Sequence, residues 1–148
     1  MNKIKKYLTT SEKQTFNLGK KLAKTLKGGE VLALTGELGA GKTVLIKGIA
    51  TGLGIKKVVT SPTFVLMKVY PLKAKNYKLT ADKLIHIDCY RTTNQQQITD
   101  IGATEYFGRA DSIVVIEWAE KIKPILPKRR IDVKFEYAGK EKRRIFIR

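Results

Sequence analysis

The sequence predicts an α/β protein that forms a single domain over residues 1–148. We expect a central, mainly parallel sheet flanked by helices, as in P-loop domains, and a C-terminal antiparallel hairpin. Three observations predict this class. Apolar strand-like runs alternate with helix-like patterns along the chain. The continuous aliphatic run at 113–116 is typical of a strand covered on both faces. The last segment alternates apolar and polar residues around a turn.

The N-terminal part of the chain predicts two strand–helix units. Residues 3–8 form a short edge strand, and Ser11 with Gln14 has the spacing of a capping box that starts a helix. The glycines at 28 and 29 are expected to end this helix. Residues 31–34 then form a buried strand, and a second helix covers 43–53.

The remaining chain predicts further strands and one weak helix. Residues 58–59 form a short strand, and strands at 64–70 and 84–88 flank a long hairpin connection at 71–83. Residues 95–107 are helical, although Gly102 weakens this helix. Strands at 131–137 and 143–148 form the terminal hairpin around Ala138 and Gly139.

Composition limits the function without defining it. Thirty Lys and Arg against thirteen Asp and Glu give a net charge of +17, which favours polyanionic partners; solvated surface lysines explain the charge equally well. Cys89 is expected in the core, and one Cys with one His cannot build a zinc-type site. No apolar run reaches the roughly 20 residues that span a bilayer, so we expect a soluble cytoplasmic protein without a membrane partner.

The strongest functional signal is a glycine-rich loop between the strand at 31–34 and the following helix. Its sequence, GELGAGKT at 36–43, fits the pattern G-x-x-x-x-G-K-[ST]. The curled backbone is expected to hold the phosphates of ATP, with Lys42 at the β- and γ-phosphates and Thr43 on Mg²⁺. An ordinary glycine-rich turn is the alternative. The loop residues expected to bind ATP are Glu37, Leu38, Gly39, Ala40, Gly41, Lys42 and Thr43.

Two acids end apolar strands and are the candidate partners of this loop. Asp88 follows LIHI, and Glu117 follows IVVI. Either acid could hold Mg²⁺ or orient water, or could be only the first solvated residue of a loop. His86 is interpreted as a buried structural histidine rather than a catalytic base. Trp118 could pack near the nucleotide or fill the core, and the sequence leaves this open.

Taken together, these motifs resemble the bacterial TsaE (YjeE) family, the ATPase component of the machinery that makes threonylcarbamoyladenosine in tRNA. The resemblance is carried in order by the segments 36–43, 60–64 (TSPTF), 86–91 (HIDCYR) and 116–120 (IEWAE). It implies catalytic roles for Lys42, Asp88 and Glu117, with Thr43 and Glu117 at Mg²⁺. It further places the switch-like segment 61–63, with Thr63 as its binding residue, near the γ-phosphate. Thr15 would lie on the adenine side and Arg143 near the nucleotide. The division of roles between Asp88 and Glu117 stays open.

The same resemblance implies the biological role. The protein would be a slow ATPase that supports a TsaD-like and TsaB-like pair, would meet tRNA through that complex, and would not perform the transfer itself. One alternative is a small-molecule P-loop kinase, although no acceptor signature is visible. Another is a basic RNA-binding module with a vestigial loop, which the intact Lys42, Thr43 and both acids argue against.

Overall fold

The computed structural model describes residues 3–72 and 78–148. These residues form seven strands, three α-helices and two 3₁₀ helices, Ala103–Tyr106 and Ala119–Ile125. The strands are β1 Lys5–Thr9, β2 Val31–Thr35, β3 Met67–Pro71, β4 Lys83–Asp88, β5 Ser112–Glu117, β6 Ile131–Tyr137 and β7 Arg143–Ile147. The helices are α1 Glu12–Ala23, α2 Lys42–Gly52 and α3 Gln96–Asp100.

The strands form one mixed sheet in the order β1-β7-β6-β2-β5-β4-β3. Its four central strands, β6, β2, β5 and β4, are parallel, whereas β1–β7, β6–β7 and β3–β4 are antiparallel pairs. The predicted α/β class, the parallel centre and the C-terminal hairpin are therefore confirmed. The carboxyl ends of β2, β5 and β4 lie side by side, which is where ligands bind in open parallel sheets.

Apolar side chains cover the central strands on both faces. One core lies between the sheet and helices α1 and α2, and the second lies between the sheet and the segment that contains α3 and the 3₁₀ helices. Every residue of β5 is buried, because this strand lies between β2 and β4 under both layers. Burial on both faces explains why residues 113–116 are all aliphatic and show no apolar–polar alternation, as predicted.

Helices α1 and α2 touch through glycines. A Cβ atom added to Gly48 would overlap the carbonyl oxygen of Phe16, and one added to Gly19 would overlap the carbonyl oxygen of Leu45. The helix backbones therefore approach more closely than any side chain would allow. This contact fixes the position of α2, whose first turn carries Lys42 and Thr43.

The N-terminus of α1 is capped as predicted, with one difference in detail. The Ser11 hydroxyl accepts a hydrogen bond from the Gln14 backbone N–H at 3.1 Å. The Gln14 side chain accepts from the backbone N–H of Thr10 at 2.7 Å, one residue before the position of a standard capping box. The helix ends at Ala23 and not at the glycines, because residues 24–26 continue as isolated turns.

Three other local predictions were wrong. Residues 58–59 form no strand, and the predicted strand at 64–70 begins only at Met67 because Leu66 has a left-handed backbone with φ 67°. The predicted helix at 95–107 breaks at Gly102, φ 78°, into α3 and the first 3₁₀ helix. The second 3₁₀ helix, Ala119–Ile125, was not predicted. The antiparallel pairing of β3 with β4 is confirmed, and part of the connection at 71–83 lies outside the described residues.

The Cys89 thiol is expected to resist modification in the folded protein. The residue is fully buried, as predicted, and burial raises the pKa of its thiol to about 12. Since only the thiolate reacts quickly, labelling at mildly alkaline pH requires the chain to open. A timed reaction with a chromogenic disulfide reagent should show slow labelling of the native protein and immediate labelling in denaturant. Equal rates in both conditions would contradict this burial.

The described residues include no helix that is both long and apolar enough to cross a membrane.

Candidate functional site

The glycine-rich loop joins the end of β2 to the start of α2 and depends on three glycines with positive φ. These are Gly36 at 144°, Gly39 at 77° and Gly41 at 102°. A Cβ on Gly36 would lie 2.9 Å from that of Phe135, so the loop also needs a missing side chain there. Gly41 is the N-cap residue of α2 and offers no side-chain cap to the first-turn N–H groups. An uncapped helix N-terminus of this kind can receive an anion.

Lys42 reaches back over this loop. Its side chain is buried, and its ammonium donates to the carbonyl oxygens of Gly36 at 2.5 Å and Glu37 at 2.9 Å. The ammonium has three N–H donors, so one remains for an anion held by the loop. Burial lowers the pKa of Lys42, and the negative charge of Glu120 is the largest influence opposing this shift.

Thr43 and Glu117 meet at the mouth of the loop. The Thr43 hydroxyl donates to Glu117 Oε1 at 2.6 Å. Glu117 is the last residue of β5 and lies beside Leu34 of β2, one residue before that strand ends. The parallel pairing of the two strands therefore places the carboxylate against the first turn of α2. The carboxylate is almost completely buried.

The second carboxylate oxygen of Glu117 is held by two further side chains. His86 Nε2 lies 2.8 Å from Oε2, and the Ser61 hydroxyl lies 3.1 Å from the same atom. Burial alone would raise the pKa of Glu117, but the hydrogen bond and charge of His86, with the hydroxyls of Thr43 and Ser61, hold it below its ordinary value. The group is therefore an ionised carboxylate near neutral pH. Because a carboxylate only accepts, His86 Nε2 must carry the proton in this contact.

Asp88 ends β4 directly beside Glu117 but has different contacts. Its Oδ2 accepts from the hydroxyls of Ser61 and, at 3.2 Å, Thr63. Its Oδ1 accepts from the backbone N–H of Tyr90 at 2.9 Å. Ser61 thus lies within reach of both carboxylates, and its single proton can be donated to only one at a time.

A cavity of about 570 Å³ opens beside these groups, a volume suited to a small-molecule ligand. Its walls come from the start of α1, the glycine-rich loop, the end of β5 and the terminal hairpin. Trp118 has a left-handed backbone, φ 58°, and its ring lies 4.1 Å from the Lys42 ammonium. Trp118 therefore lines this cavity, and it also packs against the second core, so both positions that the sequence left open apply in part.

The terminal hairpin reaches the tip of the loop. The Tyr137 hydroxyl donates to the carbonyl oxygen of Leu38 at 2.5 Å. Arg143 stacks over the Tyr137 ring at 4.3 Å and donates to the carbonyl oxygen of Gly39 at 3.3 Å. Sequence reasoning did not find Tyr137, since a tyrosine in a hairpin carries no signal of a contact with a loop 99 positions earlier.

The structure brings most of the predicted site residues to one place. The cavity is lined by Thr15, Leu38, Gly39, Ala40, Gly41, Lys42, Thr43, Glu117 and Arg143. Asp88 and Thr63 lie outside its lining and connect to Glu117 through Ser61. Glu37 faces a second cavity on the other side of the loop, and only its carbonyl oxygen contacts Lys42.

Ser61 and His86 hold the two acids, a role that the sequence did not predict. His86 was interpreted as structural, and Ser61 was placed near the γ-phosphate only as part of its segment. Strand alternation could have found His86, because it lies two residues before Asp88 and so on the same face of β4. Ser61 lies in an irregular segment, where the sequence gives no periodicity to place a side chain.

The donor set fits Mg²⁺ better than a metal held by protein alone. Within residues 3–72 and 78–148, no group of three or more His, Cys, Asp or Glu side chains could enclose a metal ion. Thr43 and Glu117 supply one hydroxyl and one carboxylate beside a phosphate-type loop. Mg²⁺ is usually held by one or two carboxylates together with substrate phosphates and water, so these residues fit that ion.

A buried strand, a glycine-rich loop closed by lysine and threonine, a following helix and an acid on the adjacent parallel strand together form a P-loop-like fold. The family model described as "Threonylcarbamoyl adenosine biosynthesis protein TsaE" matches residues 9–145. The chain belongs to the TsaE family, as the sequence motifs indicated.

Individual relatives agree with this assignment. The tRNA threonylcarbamoyladenosine biosynthesis protein TsaE of Bacillus subtilis is 37% identical over 140 residues, covering 95% of this chain and 82% of the relative. The Aquifex aeolicus protein of the same name is 36% identical, with 99% and 98% covered. The crystal structure of Bacillus subtilis YdiB superposes with a TM-score of 0.78 at 35% identity, covering 99% of this chain and 86% of that one.

Proposed function

We propose that this chain binds ATP with Mg²⁺ and hydrolyses it slowly, as the ATPase component of the machinery that forms threonylcarbamoyladenosine in tRNA. In this proposal it supports a TsaD-like and TsaB-like pair, and the TsaD-like protein performs the transfer. Membership of the TsaE family supports the pathway. The site geometry supports the chemistry.

The observation that carries the chemical proposal is the 2.6 Å contact between Thr43 and Glu117 beside the glycine-rich loop. A hydroxyl and an ionised carboxylate converge where a triphosphate on this loop would place its β- and γ-phosphates. A loop used only as a structural turn would not need a buried anion at that point. The buried carboxylate instead costs desolvation, which its three partners offset.

The chain's own groups position the phosphates and balance their charge. The first-turn N–H groups of α2 and the Lys42 ammonium hold the phosphate oxygens, and Thr43 with Glu117 holds the ion. When bound, Mg²⁺ supplies Lewis-acid neutralisation of the negative charge on the phosphates. Lys42 is buried, and the Trp118 ring lies beside its ammonium.

Asp88 is proposed to act on the attacking water and not on the metal directly. Its carboxylate is held by Ser61, Thr63 and the Tyr90 N–H, and no hydrogen bond joins it to Thr43. The Ser61–Thr63 segment is therefore linked to both acids. A movement of this segment would therefore alter the hydrogen bonds of both carboxylates, Asp88 at the proposed water and Glu117 at the proposed metal.

The nucleoside is proposed to occupy the cavity between α1 and the terminal hairpin. Thr15 lines this cavity, and its hydroxyl is fixed 2.8 Å from that of Thr9. Arg143 lines the opposite wall and is held by Tyr137. In this proposal Thr15 lies on the adenine side and Arg143 near the nucleotide.

The function is tested by combining purified protein with its partners. We expect slow hydrolysis of ATP by the chain alone, faster hydrolysis with a TsaD-like and TsaB-like pair, and capture of that pair from cell extract in an ATP-dependent manner. No threonylcarbamoyl transfer should occur without the TsaD-like protein. Phosphoryl transfer to a small metabolite at a rate above hydrolysis would favour the kinase alternative and overturn the proposal.

A pair of His86 variants tests how Glu117 is held. Gln places an N–H donor near the position of Nε2 and can still reach Glu117, whereas Asn is too short to do so. We expect His86→Asn to lower the apparent affinity for Mg²⁺, measured through ATP binding, by roughly 10-fold or more, because loss of a hydrogen bond that supports a metal ligand typically has this effect. His86→Gln should retain most of it. Titration of ATP binding against Mg²⁺ measures both, and equal values for the two variants would contradict this role.

A further inference from the structure

One face of the edge of the sheet formed by β1, β7 and β6 carries an ordered pattern of charged and aromatic residues. The strand register places Lys6, Phe146 and Lys134 directly beside one another across the three strands. The next row consists of Leu8, Arg144 and Glu136. We call these six residues the open face.

The open face lies opposite the core that contains α1 and α2. The alternate residues of the same strands, including Tyr7, Ile145 and Phe135, point into that core. The open-face side chains are instead accessible: the side chain of Lys134 is 64% exposed, and Leu8 is 59% exposed. Lys6 is exposed as well, and Arg144 is partly exposed.

Positive charge dominates this surface. Three cations share the face with one carboxylate, Glu136, which lies 3.4 Å from the Lys134 ammonium and 3.7 Å from the Arg144 guanidinium. Among the described residues, Lys6 has no acidic partner and lies 5.8 Å from the centre of the Phe146 ring. The face therefore presents a partly exposed aromatic ring between two ammonium groups.

This arrangement matches one class of ligand. An aromatic side chain on a sheet can stack with an unpaired base, and flanking lysines can contact the phosphates on either side of it. A membrane surface would need a larger apolar patch beside the cations. A protein partner that offered only acidic groups would make no stacking contact with the Phe146 ring. The net charge of +17 adds long-range attraction to the same polyanion.

We propose that the open face binds an unpaired segment of RNA, and that in the proposed function this RNA is the tRNA substrate. The choice of tRNA rests on that function, whereas RNA binding by the face does not. Lys134 and Glu136 also line the second cavity, together with Gly36 and Glu37 of the glycine-rich loop. RNA on the open face would therefore lie next to the back of the loop.

The test measures binding of an unmodified tRNA transcript by the full chain over a range of salt concentrations. Removing two phosphate contacts in Lys6→Gln/Lys134→Gln should lower the salt slope, the change in log affinity per log salt, by about 2. Phe146→Leu should weaken binding by roughly 5- to 100-fold through lost stacking, and Phe146→Tyr should keep it. Thermal unfolding checks that each variant is folded.

A matched control carries the same loss of two charges on the opposite side of the molecule. Lys20, in the last turn of α1, and Lys24, the C-cap residue of that helix, are both exposed. Lys20→Gln/Lys24→Gln should therefore leave the slope nearly unchanged. Equal effects of the two double variants would show nonspecific attraction only and overturn the proposal. Absence of tRNA binding by the wild type at low salt would also overturn it. If Lys6→Gln/Lys134→Gln bound tRNA as the wild type does but changed self-association, the open face would instead bind a second copy of the chain, and the proposal would fail.

ATP hydrolysis by each variant distinguishes this proposal from the proposed function. The open-face variants leave Thr43, Glu117 and Lys42 intact and should hydrolyse ATP, without partners or RNA, at the wild-type rate. If the wild type binds tRNA through the open face but does not bind ATP, the surface assignment stands and the ATPase proposal fails. If ATP is hydrolysed and no open-face variant changes tRNA binding, the ATPase proposal stands and the surface assignment fails.

Discussion

Replacing Glu117 by Gln is expected to lower ATP hydrolysis on the order of 100-fold or more, with a weaker response to Mg²⁺. The substitution keeps the size of a side chain that contacts Thr43 at 2.6 Å and His86 at 2.8 Å, so the fold should be preserved. It removes the negative charge of the carboxylate that accepts from the Thr43 hydroxyl. Steady-state hydrolysis measured over a range of Mg²⁺ concentrations gives both effects.

Glu120→Gln is the matched control for the loss of charge. Glu120 is exposed and its charge acts on Lys42, but it makes no hydrogen bond to Thr43 among the described residues. We expect its effect on hydrolysis to be no more than a few-fold. If Glu117→Gln kept wild-type turnover and Mg²⁺ dependence, Glu117 would have no role at the metal, and the assignment of the site would have to change.

The substitution Gly48→Ala is expected to give the largest loss of stability. The added methyl group would overlap the Phe16 carbonyl oxygen, and neither helix can move without losing the packing of α1 on α2. Overpacking of this kind costs about 3 kcal/mol, which corresponds to a fall of roughly 6–12 °C in the melting temperature. Thermal unfolding followed by circular dichroism measures it.

Lys47→Ala provides the comparison within the same helix. Lys47 is exposed on α2 and next to Gly48 in sequence, so the variant gains the same helix-forming residue without the overlap. Its melting temperature should stay close to that of the wild type. A Gly48→Ala protein as stable as Lys47→Ala would show that α1 and α2 do not approach as closely as described.

The strongest sequence signals predicted the parts of the fold with regular periodicity. The buried strands at 31–34 and 113–116, the helix after the glycine-rich loop and the terminal hairpin all follow from local patterns. The failures lie in irregular connections, both between α2 and β4 and in the segments that follow β4 and β5. The clearest physical cause is in the first of these connections. There, Leu66 adopts a left-handed backbone that its residue type disfavours, so only tertiary contacts can explain it.

The site could be predicted in its parts but not in its contacts. The motif identified Lys42 and Thr43, and two strand ends suggested Asp88 and Glu117. Which acid meets Thr43 depends on strand order, because β5 and not β4 lies beside β2. Glu117 contacts Thr43, whereas Asp88 contacts Ser61 and Thr63, and for this reason the proposal gives the metal to Glu117. No local pattern specifies that order.

Binding of ATP to the wild-type protein, with Mg²⁺ and with a chelator, tests the central claim most directly. Trp118 is the only tryptophan and lies beside Lys42, so its fluorescence reports on the site, and calorimetry gives the affinity independently. We expect saturable binding of one ATP per chain that is tighter with Mg²⁺ and lost in Lys42→Ala. Absence of any saturable, Mg²⁺-dependent binding of ATP would contradict the account.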